Sequence, residues 1–130
     1  VQEGQDATLI TWGALVKKSL DAAAAVKERM GSAVEVIDLR TLNPLDMDTI
    51  LASVEKTNRV VIAHEDVLTG GFGAEIAARI ADSALTFLDA PVKRVAAYDC
   101  PAIPYSPELE EQILPQVSWI EDALMEVLGF

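Results

Sequence analysis

The sequence predicts an α/β domain, a mostly parallel open sheet flanked by helices in three layers. β-branched, apolar runs alternate with amphipathic helical stretches along the chain, and this alternation argues an open sheet with right-handed crossovers. The run Arg59 to Ala63 is almost continuously apolar, as expected of a strand covered on both faces of a parallel sheet. The chain has 130 residues, 51% of them hydrophobic and 24% charged, which suits one soluble domain with its own core.

The elements follow in order. Ala7 to Trp12 is β-branched and apolar and reads as a strand. Gly13 opens a helix with an apolar stripe of Val16, Leu20, Ala23, Ala24 and Val26, and Gly31 suits its C-cap. Ala33 to Leu39 is the second strand. Asn43-Pro44 disfavours helix just before the proline, so the next helix runs from about Asp46 to Lys56, with Asp46 or Asp48 as N-cap and Ile50, Leu51 and Val54 inward. Arg59 to Ala63 is the third strand, and His64 to Gly73 reads as a glycine-rich loop. A helix from about Gly73 to Phe87 turns Ile76, Ala77, Ile80 and Leu85 inward. Val92 to Ala97 is the fourth strand. An irregular proline-rich strap, Tyr98 to Pro107, precedes a short helix, Glu108 to Ile113. The last helix, Val117 to Leu128, is amphipathic on Ile120, Leu124, Val127 and Leu128.

Charge narrows the partners. A net charge of −11 repels phosphate backbones and anionic lipid, and favours a basic partner. No apolar stretch approaches the ~20 residues needed to span a bilayer. The first residues lack the basic region and apolar run of a signal peptide. The chain starts with Val, which suggests a fragment of a longer protein or a processed one. The single cysteine, Cys100, cannot form an intrachain disulfide and reads as a small half-buried residue.

Ligands of open α/β sheets favour the loops at the carboxyl ends of strands, and three such loops have character here. Thr69-Gly70-Gly71-Phe72-Gly73 would let backbone amides approach an anion at a helix start, with Thr69 in an N-cap-like role. Its spacing matches neither dinucleotide-binding nor P-loop patterns. The plainer reading is a tight turn whose glycines allow positive φ or close packing against a neighbouring chain. Gly71→Val is expected to cost roughly 1–3 kcal/mol if positive φ is needed there. His64-Glu65-Asp66 places a titratable ring beside carboxylates that would raise its pKa, yet no nucleophile with an orienting partner stands beside it. A histidine making structural hydrogen bonds from the loop is favoured over a general base. Asp38 and Arg40 end the second strand and suit a salt bridge. One histidine, one cysteine and scattered carboxylates have no zinc-ligand spacing.

Several blocks together resemble a known family. Val36-Ile37-Asp38-Leu39-Arg40-Thr41-Leu42-Asn43-Pro44-Leu45-Asp46 is similar to a block of the transketolase C-terminal domain. Val61-Ile62-Ala63-His64-Glu65, Thr69-Gly70-Gly71-Phe72-Gly73-Ala74-Glu75-Ile76 and Ala90-Pro91-Val92-Lys93-Arg94-Val95 follow in order, then Asp99, Pro101, Pro104 and Tyr105. Within that superfamily the chain resembles, over nearly its whole length, the beta subunit of 2-oxo acid dehydrogenases of the pyruvate, branched-chain and acetoin types. The resemblance implies an assembly and dimerisation domain, part of a longer chain whose thiamine-binding domain is missing. The intact enzyme would decarboxylate a 2-oxo acid with thiamine diphosphate and magnesium and transfer the acyl group to lipoyl groups. Neither cofactor would be bound by this domain alone, and no catalytic residue is assigned to it. Implied partners are an alpha subunit or fused alpha region, a second beta subunit and the subunit-binding domain of the lipoyl acyltransferase, with no nucleic acid and no membrane. The implied location is bacterial cytoplasm or the mitochondrial matrix. The candidate interface or docking residues are Asp38, Arg40, His64, Glu65, Thr69, Gly70, Gly71, Phe72, Gly73 and the terminal Phe130. Alternatives are the C-terminal domain of transketolase or deoxyxylulose phosphate synthase, or a stand-alone anion- or nucleotide-binding module using Gly70 to Gly73.

Overall fold

The computed structural model describes residues 1–130. Its elements are β1 (Ala7–Thr11), α1 (Leu15–Met30), β2 (Val34–Asp38), α2 (Met47–Thr57), β3 (Val60–Val67), α3 (Phe72–Ala84), a 3-10 turn (Leu85–Phe87), β4 (Lys93–Ala97), α4 (Pro107–Ile113) and α5 (Val117–Leu128). The strands lie in the order β2-β1-β3-β4, every neighbouring pair parallel. One antiparallel bridge, Gln2 with Val36, closes part of the outer edge of β2.

Alternation along the strands divides the core in two. Leu9 and Val61 face α1 and α5, packing with Val26, Ile120 and Leu124. Ile10 and Ile62 face α2 and α3, packing with Ile50, Val54, Ile76 and Ile80. The three-layer parallel architecture expected of the sequence is therefore present.

Local chemistry sets the helix ends. Gly31 ends α1 at φ 73° and donates its N–H to the Lys27 carbonyl. Asp46 caps α2 by accepting from the Thr49 N–H at 3.1 Å and the Thr49 hydroxyl at 2.7 Å.

Four expectations are corrected. The inward stripe of α1 is Leu15, Ser19, Ala22, Ala23 and Val26, one step away from the expected set; Val16 and Leu20 are only half-buried and Ala24 is exposed. Four consecutive alanines, Ala22 to Ala25, leave the stripe poorly marked in sequence. Leu51 is half-buried, while Ser53 and Thr57 join Ile50 and Val54 on the inner face of α2. β3 continues through His64 to Val67, where a register shift lets Val67 pair with Ala97. Glu65 and Asp66 are exposed there, so their charges stay in water while the backbone remains paired. Finally, α3 ends at Ala84, which is buried, and Leu85 points out with 65% of its surface exposed.

A buried hydroxyl cluster ties α2 to β1. The Thr8 hydroxyl lies 2.6 Å from that of Ser53 and 2.7 Å from that of Thr57. Ser53 donates to Glu35, which also accepts from Lys56 at 2.7 Å. Thr8→Val is expected to cost about 1–2 kcal/mol, because it leaves two buried hydroxyls short of a partner. A urea midpoint equal to that of the parent would contradict this.

Candidate functional site

The strand order reverses direction between β1 and β3, the place where open α/β sheets usually form a site. Three aromatic side chains meet there. Trp12 follows β1, His64 lies in β3 and Phe72 opens α3. The Trp12 and His64 rings stack with centroids 5.2 Å apart and planes 8° from parallel. Phe72 meets Trp12 edge-on at 6.1 Å.

The glycines fit this corner for two different reasons. Gly70 has φ 75°, the left-handed region that favours glycine. Gly71 has φ −64°, so the expectation of positive φ there is wrong. What Gly71 supplies is room: a Cβ on it would lie 2.2 Å from the Val67 carbonyl oxygen and 2.7 Å from His64 Cε1. A Cβ on Gly73 would lie 2.3 Å from His64 Nε2. The close packing is thus against this chain's own histidine.

His64 itself is fully buried, and neither ring nitrogen has a hydrogen-bond partner. The expected structural hydrogen bonds are absent. Burial lowers its pKa from the ordinary 6.5; the Asp66 charge pulls the other way, Arg94 pushes it further down, and the Asp66 backbone, the smallest of the four influences, favours the charged ring. The expected rise from flanking carboxylates is thereby reversed, because Glu65 and Asp66 point to solvent while the ring points into the core.

Thr69 does not cap α3, whose first turn has no side-chain cap. Instead it is clasped by Asp99, through its hydroxyl at 2.5 Å and its N–H at 3.1 Å. Arg94 donates to the Leu68 carbonyl at 2.9 Å. The Thr69 hydroxyl, then its N–H, hold the Asp99 carboxyl below its usual 3.8. A carboxyl lowered by folding contributes fully above its ordinary value and loses its contribution as pH falls through the folded one. The clasp should therefore hold across neutral pH and fail only in strong acid. Asp99→Asn is expected to speed hydrogen exchange at the Thr69 amide at pH 7; an unchanged rate would argue that the clasp adds nothing.

A shallow hollow over the start of α3 is lined by Asp66, Gly70, Gly71, Phe72, Ala74 and Glu75. Its two carboxylates oppose a phosphate or diphosphate at the helix N-terminus. No group of three or more His, Cys, Asp and Glu side chains is placed to hold a metal ion. Cys100 is half-buried, as expected.

The remaining candidates lie apart. Arg40 pairs with Asp38 at 2.9 Å, as expected, at the same carboxyl edge of the sheet. Phe130 is exposed at the opposite end, because α5 runs antiparallel to β4: Trp119 lies by Tyr98, and Glu126 by Lys93. Of the ten candidate contact residues, His64, Gly71 and Gly73 are buried within the chain and are withdrawn as direct contacts. Trp12, Arg94 and Asp99 were missed. An aromatic residue ending an apolar strand beside a glycine was the available signal for Trp12; Arg94 and Asp99 stood within the family blocks, but their contacts with Leu68 and Thr69 are made across the fold.

A family model described as transketolase, C-terminal domain, matches residues 1–120. The chain belongs to the transketolase C-terminal domain family. Several curated relatives of this transketolase C-terminal domain are dehydrogenase beta subunits. The mitochondrial 2-oxoisovalerate dehydrogenase subunit beta of Dictyostelium discoideum is 48% identical over 78% of the chain and 27% of that protein. The pyruvate dehydrogenase E1 component subunit beta of Staphylococcus epidermidis is 52% identical over 75% of the chain and 30% of that protein. The beta subunit of the Bacillus subtilis acetoin:2,6-dichlorophenolindophenol oxidoreductase is 44% identical over 98% of the chain and 37% of that protein. The chain thus spans about a third of the length of these relatives. A solved structure described as a split-gene transketolase, inactive beta4 tetramer, superimposes with a TM-score of 0.84 and 27% identity, over 98% of this chain and 41% of that one. No helix is long and apolar enough to cross a membrane.

Proposed function

We infer that this chain is the assembly domain of the decarboxylase component of a 2-oxo acid dehydrogenase. The observation that carries this reading is its likeness to 2-oxoisovalerate and pyruvate dehydrogenase beta subunits, 40% and 43% identical over 99% of the chain. The reading makes the 130 residues a single domain of a longer protein, whose thiamine-binding part lies outside them. The intact enzyme would decarboxylate a 2-oxo acid oxidatively and pass the acyl group to a lipoyl group.

The hollow at the start of α3 does not suit a diphosphate, and no three His, Cys, Asp or Glu side chains converge to hold magnesium. The hollow at the start of α3 is rimmed by Asp66 and Glu75, which repel a diphosphate. Both cofactors are therefore assigned to other parts of the enzyme. The chain's own role is to present surface to an alpha subunit, a second beta subunit and the acyltransferase's subunit-binding domain. Asp38, Arg40, Glu65, Thr69, Gly70, Phe72 and Phe130 remain its candidates, all of them at least half-exposed or partly accessible. A net charge of −11 suits a basic docking module. Lys93 is paired with Glu126 at 2.5 Å, so its charge does not oppose one. The location that follows is bacterial cytoplasm or the mitochondrial matrix.

Affinity purification of the intact tagged native chain from its source cells, read by mass spectrometry, tests this reading. Recovery of an alpha subunit, separate or fused, together with a lipoyl acyltransferase is the expected result. A homotypic assembly alone would move the assignment to transketolase. A lone monomer that binds ATP, NAD or phosphate in calorimetry would move it to a stand-alone binding module.

A further inference from the structure

We propose that His64 is a pH-sensitive latch that holds the start of α3 on the sheet only while its ring is uncharged. The geometry penalises charge on the ring where it sits. Trp12 covers one face at 5.2 Å, and Gly71 and Gly73 pack so closely on its edge that neither site has room for a Cβ. Neither ring nitrogen makes a hydrogen bond of regular geometry, the Asp66 backbone being its nearest polar support, and the side chain is fully shut off from water. An imidazolium needs an acceptor for each N–H, and burying it without one is costly. Protonation therefore requires the ring to meet water, and the covering that must move is the segment Thr69 to Gly73.

The charged groups around the ring leave this balance in place. On its own strand, the Asp66 carboxylate favours the charged ring but lies in solvent, the Asp66 backbone adds the smallest of the four influences, and Glu65 is exposed beside it. From β4, Arg94 disfavours it. On α3, Glu75 and Arg79 neutralise one another at 2.7 Å. β1 and the residue after it offer only the uncharged Thr11 and Trp12. With burial as the leading cause, the folded value lies below the ordinary 6.5. A histidine lowered by folding contributes fully above its ordinary value, and that contribution erodes as pH falls below it. The latch is thus closed at pH 7 and loosens below about 6.5, the opened fraction growing about tenfold per pH unit until the folded value is reached. It loosens well before the Asp99 clasp fails.

His64 is the only histidine in the chain, so its ring resonance in an NMR titration is unambiguous. The ring Cε1–H and the amides of Gly70, Phe72 and Gly73 would be followed from pH 8 to pH 4.5 in the intact protein, with only these 130 residues isotopically labelled. The expected result is one shared midpoint below 6.5 for ring and amides, while amides of α5 stay unmoved. Titration of the ring at 6.5 or above with the corner amides unmoved would overturn the latch. So would the same acid-induced movement of those amides in His64→Gln. The parent titration decides by itself should that variant fail to fold.

Discussion

Gly71→Val is expected to lower the melting temperature of the chain by roughly 10 °C. The cause is steric, not conformational, since φ at this position is −64° and suits any residue. A Cβ would meet the Val67 carbonyl oxygen at 2.2 Å, and a backbone atom cannot swing aside as a side chain can. It would also meet His64 Cε1 at 2.7 Å, and that ring is pinned on its other side by Trp12. Overpacking of this kind costs about 3 kcal/mol, the upper end of its usual range. Gly70→Ala separates the two kinds of glycine. Nothing lies within 4 Å of its Cβ position, so the cost there is only the strain of φ 75°, about 1 kcal/mol. Calorimetry on both variants checks the ordering. Equal melting temperatures for Gly71→Val and the parent would show that the corner yields freely.

Leu124→Ala is expected to cost about 3 kcal/mol in chemical denaturation, by lost transfer energy and the cavity left behind. Leu124 has no exposed surface and packs from α5 into the cluster that includes Leu9, Val26, Val61 and Ile120. Because α5 covers the face opposite to α3, the amides of Gly70 to Gly73 should keep their shifts in this variant. A loss below about 1 kcal/mol would mean that the face collapses around the gap without penalty.

The architecture was legible because its signals are periodic and local. Apolar β-branched runs marked all four strands, Gly31 and Asp46 marked helix ends, and Ile120, Leu124 and Val127 marked the inner face of α5. What escaped was set across the fold. His64, Glu65 and Asp66 read as loop because charge usually ends a strand. They remain in β3 because backbone pairing to β4 continues past the bulge. The histidine's lowered pKa could not be read from its neighbours in sequence, since what buries it is Trp12, just past the end of β1, and the glycines that press on it. The family blocks marked the same segment without revealing that three of its residues face inward.

The position of β1 bears on how the chain is made. It precedes the other three strands of this sheet, all five of its residues end buried, and both of its neighbours, β2 and β3, come later in the chain. During synthesis Ala7 to Thr11 therefore leaves the ribosome as an apolar strand with two bare edges, and the second edge is closed only after Val60 to Ala63 has emerged. Until then the nascent segment is a template for wrong pairing. Folding must wait on a contact distant in sequence, which makes it slow by comparison with a helical bundle of this size. In a cell making many copies at once, this interval is when the nascent chain is most in need of shielding.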